Sequence, residues 1–273
     1  MALDLLLFVD GYLGIDQLFD RYVNPLARHH RSKIYLIPMG KMGKLELKRA
    51  KHRLDREIVD SLAGVCSIQV LDIDRLDSVS EAPAMVISPL IKKYNREQTG
   101  LVAALPCPKA FVHLSGPGRS GVKRVLTSTV GSGAYFRKSA LSIWLCGLQP
   151  FVIPCHVAPD EDVEFSSGSA SGSACEPETN LFASEEVDPG EATDRSRELM
   201  APLKEELTRM GAEFQEKYIR SNEIGLALSM EAVVEHADAV LIGEASSGPV
   251  MVDRSPYREL IKHAPCDIIV IKA

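Results

Sequence analysis

The sequence predicts an α/β protein built as two tandem, doubly wound parallel-sheet domains of five strands each. Three observations carry that expectation. Short apolar runs alternate with amphipathic runs along nearly the whole chain, the pattern of parallel strands joined by right-handed helical crossovers. The order of runs starts again after a Gly/Ser/Pro stretch, SGPGRSG. The two halves also finish alike, ALPCPKAFVHL in the first and HAPCDIIVIKA in the second, each a helical run stopped by proline before a strand.

In the first half, DLLLFVD reads as a strand ending in Asp10-Gly11. DQLFDRYVNPLARHH follows as a helix, with Leu18, Tyr22 and Leu26 at helical spacing. KIYLIPM is a buried strand. KLELKRAKHRLDREIVDSLAG places Leu47, Ala50, Leu54, Ile58 and Leu62 on one helical face before Gly64 stops it. CSIQVL and AMVIS are strands, PLIKKYNREQTGLVAAL is helical, and KAFVHL closes the unit. In the second half VKRVLTS is a strand, and AYFRKSALSIWLCGL is a helix sharing Phe136, Ala140, Ile143 and Gly147 on one face. FVIPCHV is the next strand. PLKEELTRMG, AEFQEKYI, EIGLALSMEAVVEHA, ADAVLIG, PYRELIKHA and DIIVIKA then alternate helix and strand to the end. The expected boundaries are residues 1–115, a linker at 116–120, and residues 121–273.

One segment stands outside the alternation. Residues 158–194 contain eleven acids and no Lys or Arg, so this stretch accounts for more than the whole formal charge of −6 and leaves +5 on the rest. It includes FSSGSASGSACEPE and few large apolar residues, too little to offset the entropy of ordering. The expectation is an acidic, disordered loop inserted in the second domain, serving as a solubilising insertion or a regulatory tether.

Composition excludes several function classes. The 273 residues are 45% hydrophobic and 25% charged, ordinary globular material of two-domain length. The run LLLFV is far shorter than the roughly 20 residues of a membrane span and lacks the flanks of a signal peptide; the reading is a cytoplasmic protein with no membrane partner. Six cysteines without a C-x-x-C pair and seven scattered histidines give no zinc spacing and no disulfide framework. The basic surplus outside the acidic tract forms no stripe interleaved with aromatics, so no nucleic-acid partner is expected. Cys155-His156 are strand neighbours that point to opposite faces, a poor nucleophile and base pair. The GSGAYF fragment places Phe136 where a dinucleotide fingerprint needs its last glycine.

The loop GEASSGPVMVDRS, Gly243 to Ser255, follows the apolar run ADAVLI and precedes a helical pattern. Parallel strands and helix N-termini leave backbone donors at that edge. With HADAVLIGEASSG, the opening KRVLTSTVGSG, FVIPCHV and HAPCDIIVIKA, it resembles the universal stress protein family over residues 121–273. The first half resembles a diverged copy through FVDG and LPCPKAFVHL. The resemblance implies a Rossmann-like five-stranded domain, in some members with ATP outside the carboxyl ends of the strands, held by a G-x2-G-x9-G-[ST] loop. Here the first glycine matches Gly243, the second falls on Ser246, the third on Arg254 and the hydroxyl residue on Ser255, in a loop two residues shorter. Ser247 and Gly248 lie within it. A Cβ at a glycine position blocks the approach of phosphate oxygens to backbone N–H groups; Arg254 either pairs with a phosphate or fills its space.

The ribose-binding aspartate of the family falls on Val130, next to Gly131, and its adenine-contacting valine on Val157. In the first half Asp10 and Gly11 match the start of the motif, but AMVIS runs into PLIKKYNREQ without a glycine loop. The candidate cofactor-binding residues are therefore Gly243, Ser246, Ser247, Gly248, Arg254, Ser255, Val157, Gly131, Asp10 and Gly11, with no catalytic or metal-binding set. The resemblance implies a regulatory stress-response protein acting through dimerisation and protein contacts. The alternative it leaves open is an ATP-binding protein, with Mg²⁺, that at most hydrolyses ATP weakly. The final strand of each half is expected to associate with the other inside the chain, beside homodimerisation and an unidentified protein partner.

Overall fold

A computed structural model describes residues 3–11, 14–28, 30–39, 42–61, 66–79, 83–90, 102, 105, 107–114, 121–128, 140–158, 184–244, 258–263 and 265–272. Its centre is a single eleven-stranded sheet. The first half supplies β1 (Leu3–Val9), β2 (Ser32–Pro38), β3 (Cys66–Val70), β4 (Met85–Pro89) and β5 (Lys109–Val112). The second supplies β6 (Arg124–Ser128), β7 (Phe151–Ala158), β8 (Glu185–Val187), β9 (Lys217–Arg220), β10 (Ala239–Glu244) and β11 (Asp267–Lys272). The spatial order is β3-β2-β1-β4-β5-β11-β10-β6-β7-β9-β8. With the short β8 set aside, each half winds its strands in the same order, third, second, first, fourth, fifth, and all pairs within that order are parallel. The fold class expected from the alternating runs is the one observed.

The helices lie on both faces, as double winding requires. On one face are α1 (Ile15–Leu18), a π-helical turn (Phe19–Val23), α2 (Asn24–Ala27), α3 (Lys44–Ser61), α4 (Ala140–Leu148) and α5 (Asp194–Arg209). Their Ile15, Leu54, Trp144 and Leu203 bury against Leu5, Leu7, Val125 and Ile269 of the strands. On the other face α6 (Ile224–Val234) and α7 (Arg258–His263) bring Ala227, Leu228 and Leu260 against Leu126, Val240 and Ile268. Strand residues alternate strictly between the two clusters, because successive side chains of a strand point to opposite faces.

The halves meet where β5 and β11 run antiparallel, with Phe111 opposite Ile268 and Lys109 opposite Val270. A buried polar cluster sits over this joint. Asp267, fully buried at the start of β11, accepts from Arg21 Nη1 on both carboxylate oxygens at 2.9 and 3.0 Å, from Tyr22 Oη at 2.9 Å and from the His113 N–H at 2.8 Å. Burial pushes its carboxyl pKa up, while the Arg21 guanidinium and the other donors pull the other way. Trp144 of α4 stacks on Tyr22 at 5.2 Å between ring centroids and donates its indole N–H to the Arg21 carbonyl at 2.6 Å. Beside it, a Cβ placed on Gly147 would stand 2.8 Å from the Pro25 carbonyl oxygen, so glycine there is what lets α4 and α2 approach.

Two expectations need correction. The last eleven residues of the acidic tract, 184–194, are ordered: β8 pairs antiparallel with β9, Glu185 reaches Arg220 at 3.1 Å, and Glu186 lies 3.4 Å from Lys217. These acids find cations from outside the tract, which a composition count over the tract alone does not register. For the same reason α5 starts at Asp194, eight residues before the expected start at Pro202, with the Thr193 hydroxyl accepting from the Ser196 N–H at 3.2 Å as N-cap. The remainder of the tract, the linker 116–120 and most of PLIKKYNREQTGLVAAL lie outside the described residues.

Candidate functional site

The strand order reverses between β1 and β4 in the first half and between β6 and β10 in the second. At such a switch point the flanking crossovers leave in opposite directions and open a crevice outside the carboxyl ends of the strands. Asp10 and Gly11 follow β1 into the first crevice; Gly243 in β10 and Val157 in β7 border the second. Ser246, Ser247, Gly248, Arg254, Ser255, Gly131 and also Val130 lie outside the described residues.

At the first crevice a methionine meets the glycine after β1. Gly11, at φ +99°, donates its N–H to Met42 Sδ at 3.3 Å. Met39, buried just past β2, donates its own N–H to the Val9 carbonyl at 2.8 Å, and its sulfur lies 3.8 Å from Ser88 Oγ on β4. A thioether is a weak acceptor and a compliant filler; Met42 takes up the Gly11 amide, and Met39 links the end of β2 to β4. Gly14, at φ +79°, stands close to Leu114: a Cβ there would meet Leu114 Cδ1 at 2.8 Å. Asp10 itself is exposed.

The second crevice is lined differently. β6 ends in Thr127 and Ser128, both buried, and Thr127 Oγ1 has no hydrogen-bond partner among the described residues. Gly243 pairs in register with Ile271, and Val157, half-buried, pairs with Ile219. Further along the same edge, His156, Thr193, Ser196, Tyr218 and Arg220 enclose a cavity of about 40 Å³. One water claims about 30 Å³, so this cavity holds no nucleotide base. Pro154 interrupts the ladder on the β9 side, where it has no N–H to donate: Phe214 bridges Val152, and regular pairing resumes only at Lys217 opposite Cys155.

Two features invisible in the motif analysis lie at the opposite edge and on the outer surface. Lys217, buried at the start of β9, places Nζ 2.6 Å from both Glu231 and Glu235 of the α6 region, and Arg124 reaches Glu235 as well. Burial lowers the ammonium pKa, but hydrogen bonds to Glu231 and Glu235 outweigh it and the net shift is upward. Glu235 is held below its ordinary value: burial raises it, and the bonds from Lys217 and Arg124 prevail. This cluster ties the first residues of β6 and β9 to α6. On α6 the outer residues Leu226, Met230, Val233 and Val234 fall at the first, fifth, eighth and ninth positions of one helical stripe, and the last three are 44, 58 and 64% exposed. The sequence signal for it was the absence of a polar face on EIGLALSMEAVVEHA.

Cys155 is fully buried, and burial drives its thiol pKa far upward; burial likewise pushes Cys266 up to about 12, the opposite of what a thiolate nucleophile needs. No group of three His, Cys, Asp or Glu residues suited to a metal ion occurs among the described residues. No helix there is long and apolar enough to cross a membrane.

No family model matches the chain, and no curated protein is similar to it. Solved structures are. A universal stress protein from Archaeoglobus fulgidus is 12% identical and superposes with a TM-score of 0.56 over 98% of this chain and 98% of its own. A second structure, described as a universal stress protein from Pseudomonas aeruginosa, gives 12% identity and a TM-score of 0.56 over 99% of this chain and 92% of its own. The cytoplasmic domain of a prokaryotic cation chloride cotransporter is 10% identical, with a TM-score of 0.55 over 99% of this chain and 95% of that one. The repeated strand order, the two switch-point crevices and these full-length superpositions show that the chain has the universal stress protein fold.

Proposed function

We propose that the chain is a cytoplasmic regulatory protein of the universal stress protein kind, working through protein contacts and not through turnover of a substrate. The observation that carries this reading is the outer row of α6. The inner residues Ala227, Leu228 and Ala232 already pack on the sheet. An apolar helix of this kind is normally covered on every side, and a contiguous exposed row marks a surface awaiting a partner. A second copy of the chain satisfies the row most simply, by laying Met230, Val233 and Val234 against the same residues across a two-fold axis. The Gly11 amide taken up by Met42 and the substitutions at Ser246 and Arg254 support a protein that has given up nucleotide control.

A second reading, ATP with Mg²⁺ at the second crevice, draws on the position of Gly243 and Val157 at the strand ends flanking the β6/β10 switch point. There Ser246, Ser247, Gly248, Arg254 and Ser255 would meet the phosphates, and hydrolysis would be weak.

Light scattering on the full chain is expected to give a dimer that Met230→Glu with Val234→Glu converts to a folded monomer; a monomeric parent protein would sink the α6 contact. Equilibrium titration with millimolar ATP and Mg²⁺ is expected to show no saturable binding. Saturation that disappears in Gly243→Val moves the conclusion to the second reading.

A further inference from the structure

Helix α3 carries six Lys and Arg residues against four acids. Lys48, His52 and Arg56 recur every four residues, and Arg49 and Arg53 form the adjoining row. All five side chains are exposed, and with Leu45 and Glu57 they line an open groove of about 580 Å³, a volume in the range of small-ligand sites. Arg53 is paired with Asp16. Lys48, His52 and Arg56 have no hydrogen bond or ion pair among the described residues. The corresponding crossover helix of the second half makes the contrast clear: α5, DRSRELMAPLKEELTR, balances four cations with four acids.

We propose that this groove binds a linear, multiply charged small anion of the oligophosphate class. The row from Lys48 to Arg56 spans about 12 Å at 1.5 Å per residue, a length along which successive phosphoryl groups each meet a different side chain. The arginines add forked donors that match phosphate oxygens in pairs. Two larger polyanions fit less well. Among the described residues the lining holds no aromatic ring on which a nucleic-acid base would stack, and a polymer longer than the groove meets a chain of net charge −6. An anionic membrane surface calls for an apolar helical face free to insert, whereas Ala50, Leu54 and Ile58 of α3 are already in the core. The site lies in the half opposite Gly243, so its success or failure is independent of either reading of the second crevice.

Calorimetric titration of the full chain with sodium tripolyphosphate tests it, at low and at physiological salt. The expected result is saturable binding that weakens with salt and falls about tenfold or more in Lys48→Gln with Arg56→Gln. The same charge change outside the groove, Lys44→Gln with Lys51→Gln, is expected to alter affinity by less than about twofold. Circular dichroism confirms that each variant keeps its helices. Absence of saturable binding overturns the proposal, as does an equal loss in both double variants or a loss confined to Gly243→Val. Single-stranded oligonucleotide or phosphatidylglycerol vesicles binding where tripolyphosphate does not would also overturn it.

Discussion

The two halves wind their strands in one order and differ in what they do with the ends and edges of those strands. In the first half Met42 takes up the amide of Gly11 at the switch point, and the outer strand β3, CSIQV, carries no charge and among the described residues has β2 as its one partner in the sheet. In the second half the crevice ends in Thr127, Ser128 and Gly243, and the outer strand β9 carries Lys217 and Arg220, which recruit Glu185 and Glu186 of β8 to cover the edge. A bare edge invites another strand and a covered one refuses it. The scaffold is therefore duplicated while its functional surfaces are not: one half has an open edge and a basic groove, the other a hydroxyl-lined crevice and an apolar helix. The joint is what makes the two a single sheet, and it is the place where disruption is expected to cost most.

Asp267→Ala strips the Arg21 guanidinium and the Tyr22 hydroxyl of their common acceptor inside the joint. An uncompensated buried charge of this kind costs about 3–5 kcal/mol. Urea unfolding followed by Trp144 fluorescence is expected to shift by that amount, and the loss is expected to expose two separate transitions where the parent protein shows one. A change under about 1 kcal/mol would mean that β5–β11 pairing alone joins the halves. Gly147→Ala attacks the same joint through sterics. The new methyl meets the Pro25 carbonyl at a distance that real Cβ atoms do not adopt, so α2 and α4 must part, at about 1–3 kcal/mol. Were Gly147→Ala stabilising, as it is for an ordinary helix position, the close approach of the two helices would be refuted.

Most of the scaffold was legible because burial writes itself into sequence periodicity. LLLFV, KIYLIPM, ADAVLI and DIIVIKA are runs that only a strand covered on both faces tolerates, and the structure pairs each of the four with a strand on either side. Gly147 was assigned to the right helical face, but its purpose depends on Pro25, more than a hundred residues away. The strand β8 was not legible: Glu185 and Glu186 look like solvated acids until Lys217 and Arg220 arrive beside them. The site was legible only by resemblance. Of the ten candidate residues the structure describes Asp10, Gly11, Val157 and Gly243, and the Gly11 amide goes to Met42, whose sulfur no motif specifies.

The smallest expected effect concerns the charged edge that the first half lacks. Glu235, paired with Lys217 and Arg124, has its carboxyl pKa depressed on folding. A depressed carboxyl contributes stability that is fully present above its unfolded value, 4.5, and disappears as pH falls through the lower folded value. Glu235→Gln is accordingly expected to lose about 1 kcal/mol near neutral pH and nothing additional at the acid end, giving a flatter stability profile between about pH 5 and 3. The loss is small because Lys217 keeps Glu231 and Glu186. Urea midpoints measured across that range decide the matter. Parallel profiles for parent and variant would show that Glu235 gains nothing from its partners, and that the cations of β9 matter to the edge only through β8.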